Sequence, residues 1–396
     1  MGDSPVVRSI ESLPHRFIGD DSLAARFRLH VGRAARDVVV EDGRCDVVKT
    51  NGVRPDVEIS TSAETWFEID DGRLSGLEAF AQRRLTVRGS IEKSLLFEPL
   101  FERRAAGALS YSLQRIEAGS VGISALIAGD VYAPPLLLIH GLGATKSSWL
   151  PIVPELARRH RVIALDLPGF GASTKPRGRY DAPWFTDHVF SLMDVLEIDS
   201  ASIAGNSMGG RIAQEMAMVQ PDRVDAIACL CPANAFVRRP ALWLVRLLRP
   251  ELAFFAGKLP RTRIKESLKD LFADAGRVNE EWFEAAVDDF LEVWRSPRAR
   301  MAFSAAARNI YLDEPHGEEG FWTRLAELNV PSFYVFGRKD VLITHHFGRK
   351  VKRAVPAARV EVWPDCGHVP QIEHPERTAT KLVNFFTAAS RRRVSA

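Results

Sequence analysis

Between Ala25 and Ser60 apolar and polar residues alternate through RFRLHV, DVVVED, RCDVVK and DVEIS, interrupted by the pairs DG and NG. A period of two belongs to strands with one buried face, and DG and NG are hairpin turn pairs, so this stretch predicts antiparallel hairpins. The period then lengthens. Thr61 and Glu64 stand at capping-box spacing before one apolar helical run, Ser75 and Glu78 repeat the spacing before another, and Gly72 is placed to stop the first. LTVRGS reads as a further strand and IEKSLLFEPLFE as an amphipathic helix. Residues 1–107 are therefore expected to form a small α+β unit.

From Ala108 the pattern changes. YSLQRIEAG and VGISALIAG read as a hairpin, and then PLLLIHG, RVIALDLPG, ASIAGNS, AIACLCP, SFYVFG and ARVEVWP appear as short, wholly apolar runs separated by helical segments. Continuous apolar strands alternating with helices predict a mostly parallel sheet covered on both faces, an α/β domain over residues 108–396. A long insert, residues 234–325, separates the fourth of these runs, AIACLCP, from the fifth, SFYVFG.

Composition narrows the class. A length of 396 residues fits two or three domains, and 46% hydrophobic with 26% charged residues is an ordinary globular balance. The net charge of +3 leaves no electrostatic footprint for nucleic acid. Four cysteines make no disulfide framework, and Cys229 and Cys231 fall in a run that reads as a buried strand, which points to a reducing cytoplasm. The opening residues carry no apolar signal-peptide core, and no stretch reaches the ~18 uncharged apolar residues of a membrane span.

The candidate chemistry lies in AGNSMGGRIA, residues 204–213. Ser207 follows an apolar strand, precedes a helix, and is flanked by Gly205, Gly209 and Gly210. That is the G-x-S-x-G turn, in which missing side chains let backbones cross closely while the serine oxygen stands clear. A serine alcohol needs a base, and the base needs an orienting acid. Asp340 closes the strand SFYVFGRKD and His368 follows the next, in the order that this architecture demands. A surface-turn aspartate and a satisfied loop histidine are the plain alternatives. Gly141, Leu142 and Gly143 end another strand, so the Leu142 and Met208 amides are the expected oxyanion donors. GLG after a strand, with Asp166 closing the next, also imitates a dinucleotide fingerprint, but Lys146 holds the third glycine position. No histidine has metal-ligand spacing, so neither metal nor cofactor is inferred.

Two resemblances follow from these motifs. DVEISTSAETWFEIDDG through LTVRGSIEKSLLFEPLF, about residues 20–103, resembles the lipid-binding domain of the sterol carrier protein family. It implies an apolar tunnel for a fatty acyl or sterol ligand, although Trp66, Phe67, Phe80, Leu95, Leu96 and Phe97 read equally as core. HGLG, DLPGFGAS, GNSMGG, GRKD and CGHVPQIEHPE, in that order over about residues 108–390, resemble the α/β-hydrolase family. That resemblance implies Ser207 as nucleophile, Asp340 as orienting acid, His368 as base, and a helical lid formed by the insert. It implies hydrolysis of a carboxylic ester. GNSMGG with CGH also looks like the hydrolases that cut carbon–carbon bonds in ring-cleavage products, which usually carry tryptophan where this chain has Val369. A non-enzymatic lipid carrier is the remaining alternative.

The insert is rich in large apolar side chains, which suggests a lipophilic small-molecule substrate. Within residues 236–269, nine basic residues stand against two acidic ones, Glu251 and Glu266, a local charge of +7, interleaved with Trp243, Leu244, Leu247, Leu248, Phe254 and Phe255. Such a composition suits a peripheral contact with an anionic membrane, while Pro240, Pro250 and Pro260 favour a solvated face over a packed lid.

Overall fold

The computed structural model describes residues 4–19, 23–102, 107–236, 242–247, 249–255, 257 and 259–394. Its contacts divide the chain into two units, residues 1–113 with Asn279–Asp289, and residues 114–278 with 290–396. The division near residue 113 falls close to the expected change at 107/108. That a piece of the insert groups with the first unit was not expected.

In the first unit a five-stranded sheet runs in the order β3-β2-β1-β4-β5. Its strands are β1 (Ala25–Val31), β2 (Ala34–Glu41), β3 (Arg44–Lys49), β4 (Val57–Thr61) and β5 (Leu85–Gly89). Along β1 buried and half-buried residues alternate at every position, as the period of two requires. Asp42 and Gly43 both take positive φ, 50° and 69°, the conformation that makes DG a tight hairpin turn between β2 and β3. The NG pair does not make a hairpin. β4 instead lies parallel to β1, with Phe27 opposite Val57. The Asp56 carboxylate explains the placement: it accepts from the Arg26 amide at 2.9 Å and from Lys93 Nζ at 2.6 Å, fixing the start of β4 beside β1.

Four helices cover this sheet: α1 (Pro5–Glu11), α2 (Ala63–Asp70), α3 (Gly76–Ala81) and α4 (Ile91–Phe97). The capping box predicted at Ser75 and Glu78 is present. The one predicted at Thr61 and Glu64 does not form, because Thr61 is still paired in β4; Ser62 instead caps α2 by accepting from the Thr65 amide, with no reciprocal bond from an acidic side chain. The core gathers Phe27, Leu29, Val38, Val57 and Trp66, with the Phe27 and Phe97 rings 5.1 Å apart. The Trp66 indole donates to Ser9 Oγ at 2.8 Å, which docks α1 on α2.

The second unit holds an eight-stranded sheet in the order β13-β12-β11-β10-β8-β9-β7-β6. These are β6 (Tyr111–Ala118), β7 (Val121–Ala128), β8 (Pro135–Ile139), β9 (Arg161–Leu165), β10 (Ala201–Asn206), β11 (Val224–Leu230), β12 (Ser332–Gly337) and β13 (Arg359–Trp363). From β9 through β8 and β10 to β13 every pairing is parallel, and β7 joins β9 antiparallel. β10, β11 and β12 are almost wholly buried, which is why their sequences run apolar without alternation.

The helices between these strands are α5 (Val153–Ala157), α6 (Ala182–Val195) and α7 (Met208–Val219), and, within the insert, α8 (Leu242–Leu247), α9 (Arg261–Lys269), α10 (Glu280–Trp294), α11 (Pro297–Leu312) and α12 (Phe321–Leu325). They are followed by α13 (Phe347–Ala354), α14 (Pro370–Glu373) and α15 (Pro375–Val394). The insert is largely helical over its described residues. Its residues Arg238, Arg239, Leu248 and Lys258, counted in the charge and apolar pattern above, lie outside the described residues. The first ten residues of α10 group with the first unit, where the Asp288 carboxylate accepts from the Gly89 amide at 3.4 Å. No helix among the described residues is long and apolar enough to cross a membrane.

Phe27 is fully buried and touches both strand and helix layers of the first unit. Phe27→Ala should therefore destabilise that unit by about 3–5 kcal/mol in urea titration, since transfer and cavity terms add at a packed site.

Candidate active site

β10 delivers Ser207 onto the turn that begins α7, at φ 54° and ψ −116°. A non-glycine residue held there costs about 1–3 kcal/mol, so the surroundings must impose it. They do so by crowding. A methyl group on Gly205 would lie 2.2 Å from the Gly209 carbonyl oxygen, and one on Gly209 would lie 2.0 Å from the Ile139 carbonyl oxygen. Hydrogen bonds complete the clamp: the Ser207 amide donates to the Leu230 carbonyl at 2.9 Å, and the Ala233 amide donates to the Ser207 carbonyl at 3.0 Å. The serine side chain makes no cap bond to α7, so the turn does not consume its hydroxyl.

Asp340 leaves the end of β12 and His368 the loop after β13. The imidazole Nδ1 lies 2.8 Å from Asp340 Oδ2, and the carboxylate's other oxygen accepts from the Leu342 and Ile343 amides at 2.8 and 2.9 Å. With Nδ1–H committed to the carboxylate, Nε2 is the nitrogen left to accept a proton. The His368 backbone is tied down too. Its amide donates to the Leu271 carbonyl at 2.7 Å, and its carbonyl accepts from Asn206 Nδ2 at 3.0 Å, so the residue before Ser207 holds the loop that carries the histidine.

The Gly141 loop lies against the elbow, since a methyl on Gly141 would be 3.1 Å from Ser207 Cβ. Leu142 follows in that loop, and Met208 is the first residue of α7, where amides have no intrahelical acceptor and the helix dipole favours negative charge. The same loop is roofed by aromatic rings of the insert. A methyl on Gly143 would meet Phe303 at 2.9 Å and Phe290 at 3.5 Å, and Trp294 stacks on Phe290 with ring centroids 5.4 Å apart. Sequence reasoning missed Asn206, Leu271 and these rings; only the excess of aromatic residues in the insert signalled the last.

Asp166, whose position imitated a ribose-binding acid, is fully committed elsewhere. It takes Lys146 Nζ at 2.8 Å, the Lys146 amide at 2.7 Å and the Ala172 amide at 2.8 Å, and Asp166 and Lys146 are themselves buried. Burial alone would raise its pKa, but the Lys146 ammonium and these hydrogen bonds hold it below the ordinary value. His140 is buried beside it, with Nδ1 2.7 Å from the Gly141 carbonyl and Nε2 accepting from the Leu167 amide at 3.0 Å. Burial pushes its imidazole below the usual pKa, and accepting at Nε2 requires the neutral ring.

Among the described residues two sets of potential metal donors occur, Cys231 with Asp340 and His368, and Cys366 with Glu373 and His374, the donor atoms of each set lying within 4.8 Å of one another. Both are already knit by hydrogen bonds. Glu373 accepts from the Gly367 and Asp274 amides at 2.7 and 2.9 Å, and burial with the neighbouring Asp340 pushes the Cys231 thiol well above its usual pKa. A protonated thiol is a poor ligand and a poor nucleophile.

A mostly parallel sheet with a serine on a strained strand-to-helix turn and, after later strands, an aspartate bonded to a histidine defines an α/β hydrolase. Residues 134–375 match the model of the alpha/beta hydrolase fold, and the chain belongs to that family; residues 21–102 match the SCP-2 sterol transfer family. It is 31% identical over 275 residues to the dihydrolipoyllysine-residue acetyltransferase component of the acetoin cleaving system of Pseudomonas putida, covering 69% of each chain. It is 29% identical over 276 residues to the 2-hydroxymuconate semialdehyde hydrolase of a Pseudomonas species, covering 66% of this chain and 89% of that one. Among solved structures, a bacterial membrane phospholipase A superposes with a TM-score of 0.58 at 26% identity, over 71% of this chain and 87% of the other.

Removing one partner of the buried Lys146–Asp166 pair strands the other. Asp166→Ala should cost about 3–5 kcal/mol in denaturant unfolding, and Lys146→Met should cost less, because two amides still satisfy the carboxylate. The folded pKa of Asp166 lies below its unfolded value, so its contribution is complete at neutral pH and fades as pH falls below about 4. The deficit of Asp166→Ala should shrink over the same range.

Proposed function

We propose that this protein is a serine hydrolase of lipophilic carboxylic esters that works through an acyl-enzyme. The observation that carries the reading is Ser207 held at positive φ with its hydroxyl unused by the helix, on a turn whose preceding residue also holds the His368 loop. Ser207 Oγ attacks the ester carbonyl while His368 Nε2 takes its proton, and the Leu142 and Met208 amides receive the negative charge that develops on the carbonyl oxygen. His368 returns the proton to the leaving alkoxide. Water, deprotonated by the same nitrogen, then releases the acid from Ser207. Asp340 holds the tautomer and compensates the imidazolium.

The aromatic roof of Phe290, Trp294 and Phe303 over the Gly143 loop supports a lipophilic acyl group, as does the phospholipase likeness. The first unit, a match to a sterol transfer family, supports retention of a fatty acyl or sterol ligand for the same chemistry. All four cysteines are free and buried, which supports a reducing, cytoplasmic location. A second reading, hydrolysis of a carbon–carbon bond in a ring-cleavage product, is favoured by the Pseudomonas semialdehyde hydrolase, while Val369 in place of tryptophan after His368 weighs against it.

Ser207→Ala and His368→Ala should each lower kcat by roughly a thousandfold or more with the fold intact, and Asp340→Asn should follow them, since the three act as one unit. A fluorophosphonate probe should label Ser207 in the wild type alone; absence of labelling in folded protein would favour the lipid carrier. Profiling p-nitrophenyl esters, acylglycerols, sterol esters and ring-cleavage products separates the two hydrolytic readings. Independently, the full chain carrying Ser207→Ala should bind a fluorescent fatty acid with Kd of about 1 μM, and failure of every acyl and sterol probe to bind would remove the ligand-holding role from the first unit.

A further inference from the structure

A cavity of about 740 Å³ opens in the second unit between the segment Lys175–Tyr180, one face of α11 and the short turn at Pro250–Phe255. It is separate from Ser207, Asp340 and His368, none of which lines it. Five cationic side chains line it, Lys175, Arg177, Arg179, Arg298 and Arg308, against one carboxylate, Glu251. Three of the five are engaged: Lys175 donates to the Gly171 and Ser173 carbonyls, Arg179 pairs with Asp181, and Arg308 donates to the last carbonyls of α8. Arg177 and Arg298 are exposed and make no ion pair or hydrogen bond among the described residues. The floor is apolar, built by Met301, Ala302 and Ala305 along the same stripe of α11 as Arg298 and Arg308.

The walls are fixed without a ligand. Asn309 Nδ2 donates to the Arg179 carbonyl at 2.5 Å, pinning the segment to α11, and the Tyr180 hydroxyl closes it by donating to the Pro176 carbonyl. Arg300 donates to the Ala253 carbonyl and so holds the turn on the third side. Two unpaired guanidinium groups at the mouth of a preformed basic cavity select an anion, and the fork geometry of arginine suits phosphate oxygens.

What lies next to the cavity selects the source of that anion. α8, whose final carbonyls Arg308 holds, and the turn that supplies Pro250 and Glu251 present Trp243, Leu247 and Leu252 at 70%, 68% and 66% exposure. Arg246 and Arg249 stand exposed among them, and their guanidinium groups make no ion pair or hydrogen bond among the described residues. Large apolar side chains ringed by unpaired cations are matched by an anionic bilayer, where the former enter the acyl boundary and the latter meet the headgroups. A soluble phosphate ester would use the cavity and leave the ridge bare. We propose that this cavity takes the phosphate-bearing headgroup of an anionic phospholipid, and that α8 and the adjoining turn seat the chain on the membrane that contains it. The site goes beyond ester hydrolysis and does not depend on it.

The test uses the full chain in flotation with phosphatidylcholine vesicles, with and without phosphatidylglycerol. Wild type should partition onto the phosphatidylglycerol vesicles at about 0.1 M salt and leave them near 1 M, as the Debye length contracts from ~10 to ~3 Å. Arg177→Gln with Arg298→Gln should lower the partition coefficient roughly thirtyfold, two charges at the surface value for each. Trp243→Ala with Leu247→Ala should lower it on the same vesicles. All four positions are exposed, so thermal melting and hydrolysis of a soluble p-nitrophenyl ester should stay at wild-type levels, and loss of hydrolysis in wild type would leave the flotation result standing on its own. Equal flotation of wild type and Arg177→Gln/Arg298→Gln, or no preference of wild type for phosphatidylglycerol, overturns the proposal. So does calorimetric binding of glycerol 3-phosphate that requires Arg177 and Arg298 in a protein that ignores vesicles, because it would make the cavity a site for soluble phosphate esters.

Discussion

The catalytic half depends on one close approach of backbones. β10 must turn into α7 within a single residue while α7 lies almost in contact with the end of β8, and Gly205 and Gly209 are the two positions where any side-chain carbon would collide with a carbonyl. The strain of this crossing falls on Ser207, the turn residue between β10 and α7, whose backbone takes positive φ. Everything else in the candidate site is arranged around that point. The sheet supplies the rigid reference, because strands β8, β10, β11 and β12 are nearly solvent-free and register with one another in parallel.

This explains which parts of the site were legible in the chain. Ser207, Asp340 and His368 each follow a short apolar run, and parallel strands place their carboxyl ends on one edge of the sheet, where Asp340 meets His368 and the residue before Ser207 bonds the His368 carbonyl. The glycines around Ser207 were legible for the same local reason. Asn206 was not, because its role is a hydrogen bond to the His368 carbonyl across 162 residues of chain, and nothing at position 206 marks it. The Leu271 carbonyl that takes the His368 amide is invisible in principle, since any residue supplies one.

The first unit shows the complementary limit. Alternation gave its strands, and the DG turn at Asp42 and Gly43 formed as its residues require. Yet the same grammar misread NG at Asn51 and Gly52, because β4 is placed by a carboxylate, Asp56, that reaches Arg26 and Lys93. A local turn signal cannot compete with two charge-assisted bonds that close a non-local pairing. The inclusion of Asn279–Asp289 in this unit is of the same kind. Helical periodicity predicts that α10 has an apolar face, but not which core receives Phe283 and Val287.

Buried charge then explains why the elbow's neighbour holds its shape. The loop after β8 lies against Ser207 at Gly141 and against the Phe303 ring at Gly143, and with glycine at both positions little of its backbone is stiffened locally. Asp166 supplies the stiffness from the end of β9. It gathers the Lys146 amide and ammonium on one side and the Ala172 amide on the other, and Ser173 adds a bond to its carbonyl. A buried ion pair contributes little net stability compared with apolar packing, but its demand for full hydrogen bonding permits few alternative geometries. Neutral His140, bonded at both ring nitrogens, extends the same constraint to the Gly141 carbonyl. Asp166, which gave the chain its superficial likeness to a dinucleotide fingerprint, and Lys146, which breaks that likeness, thus together fix the loop bearing Leu142, and the ion pair between them leaves no carboxylate oxygen to spare for a ribose.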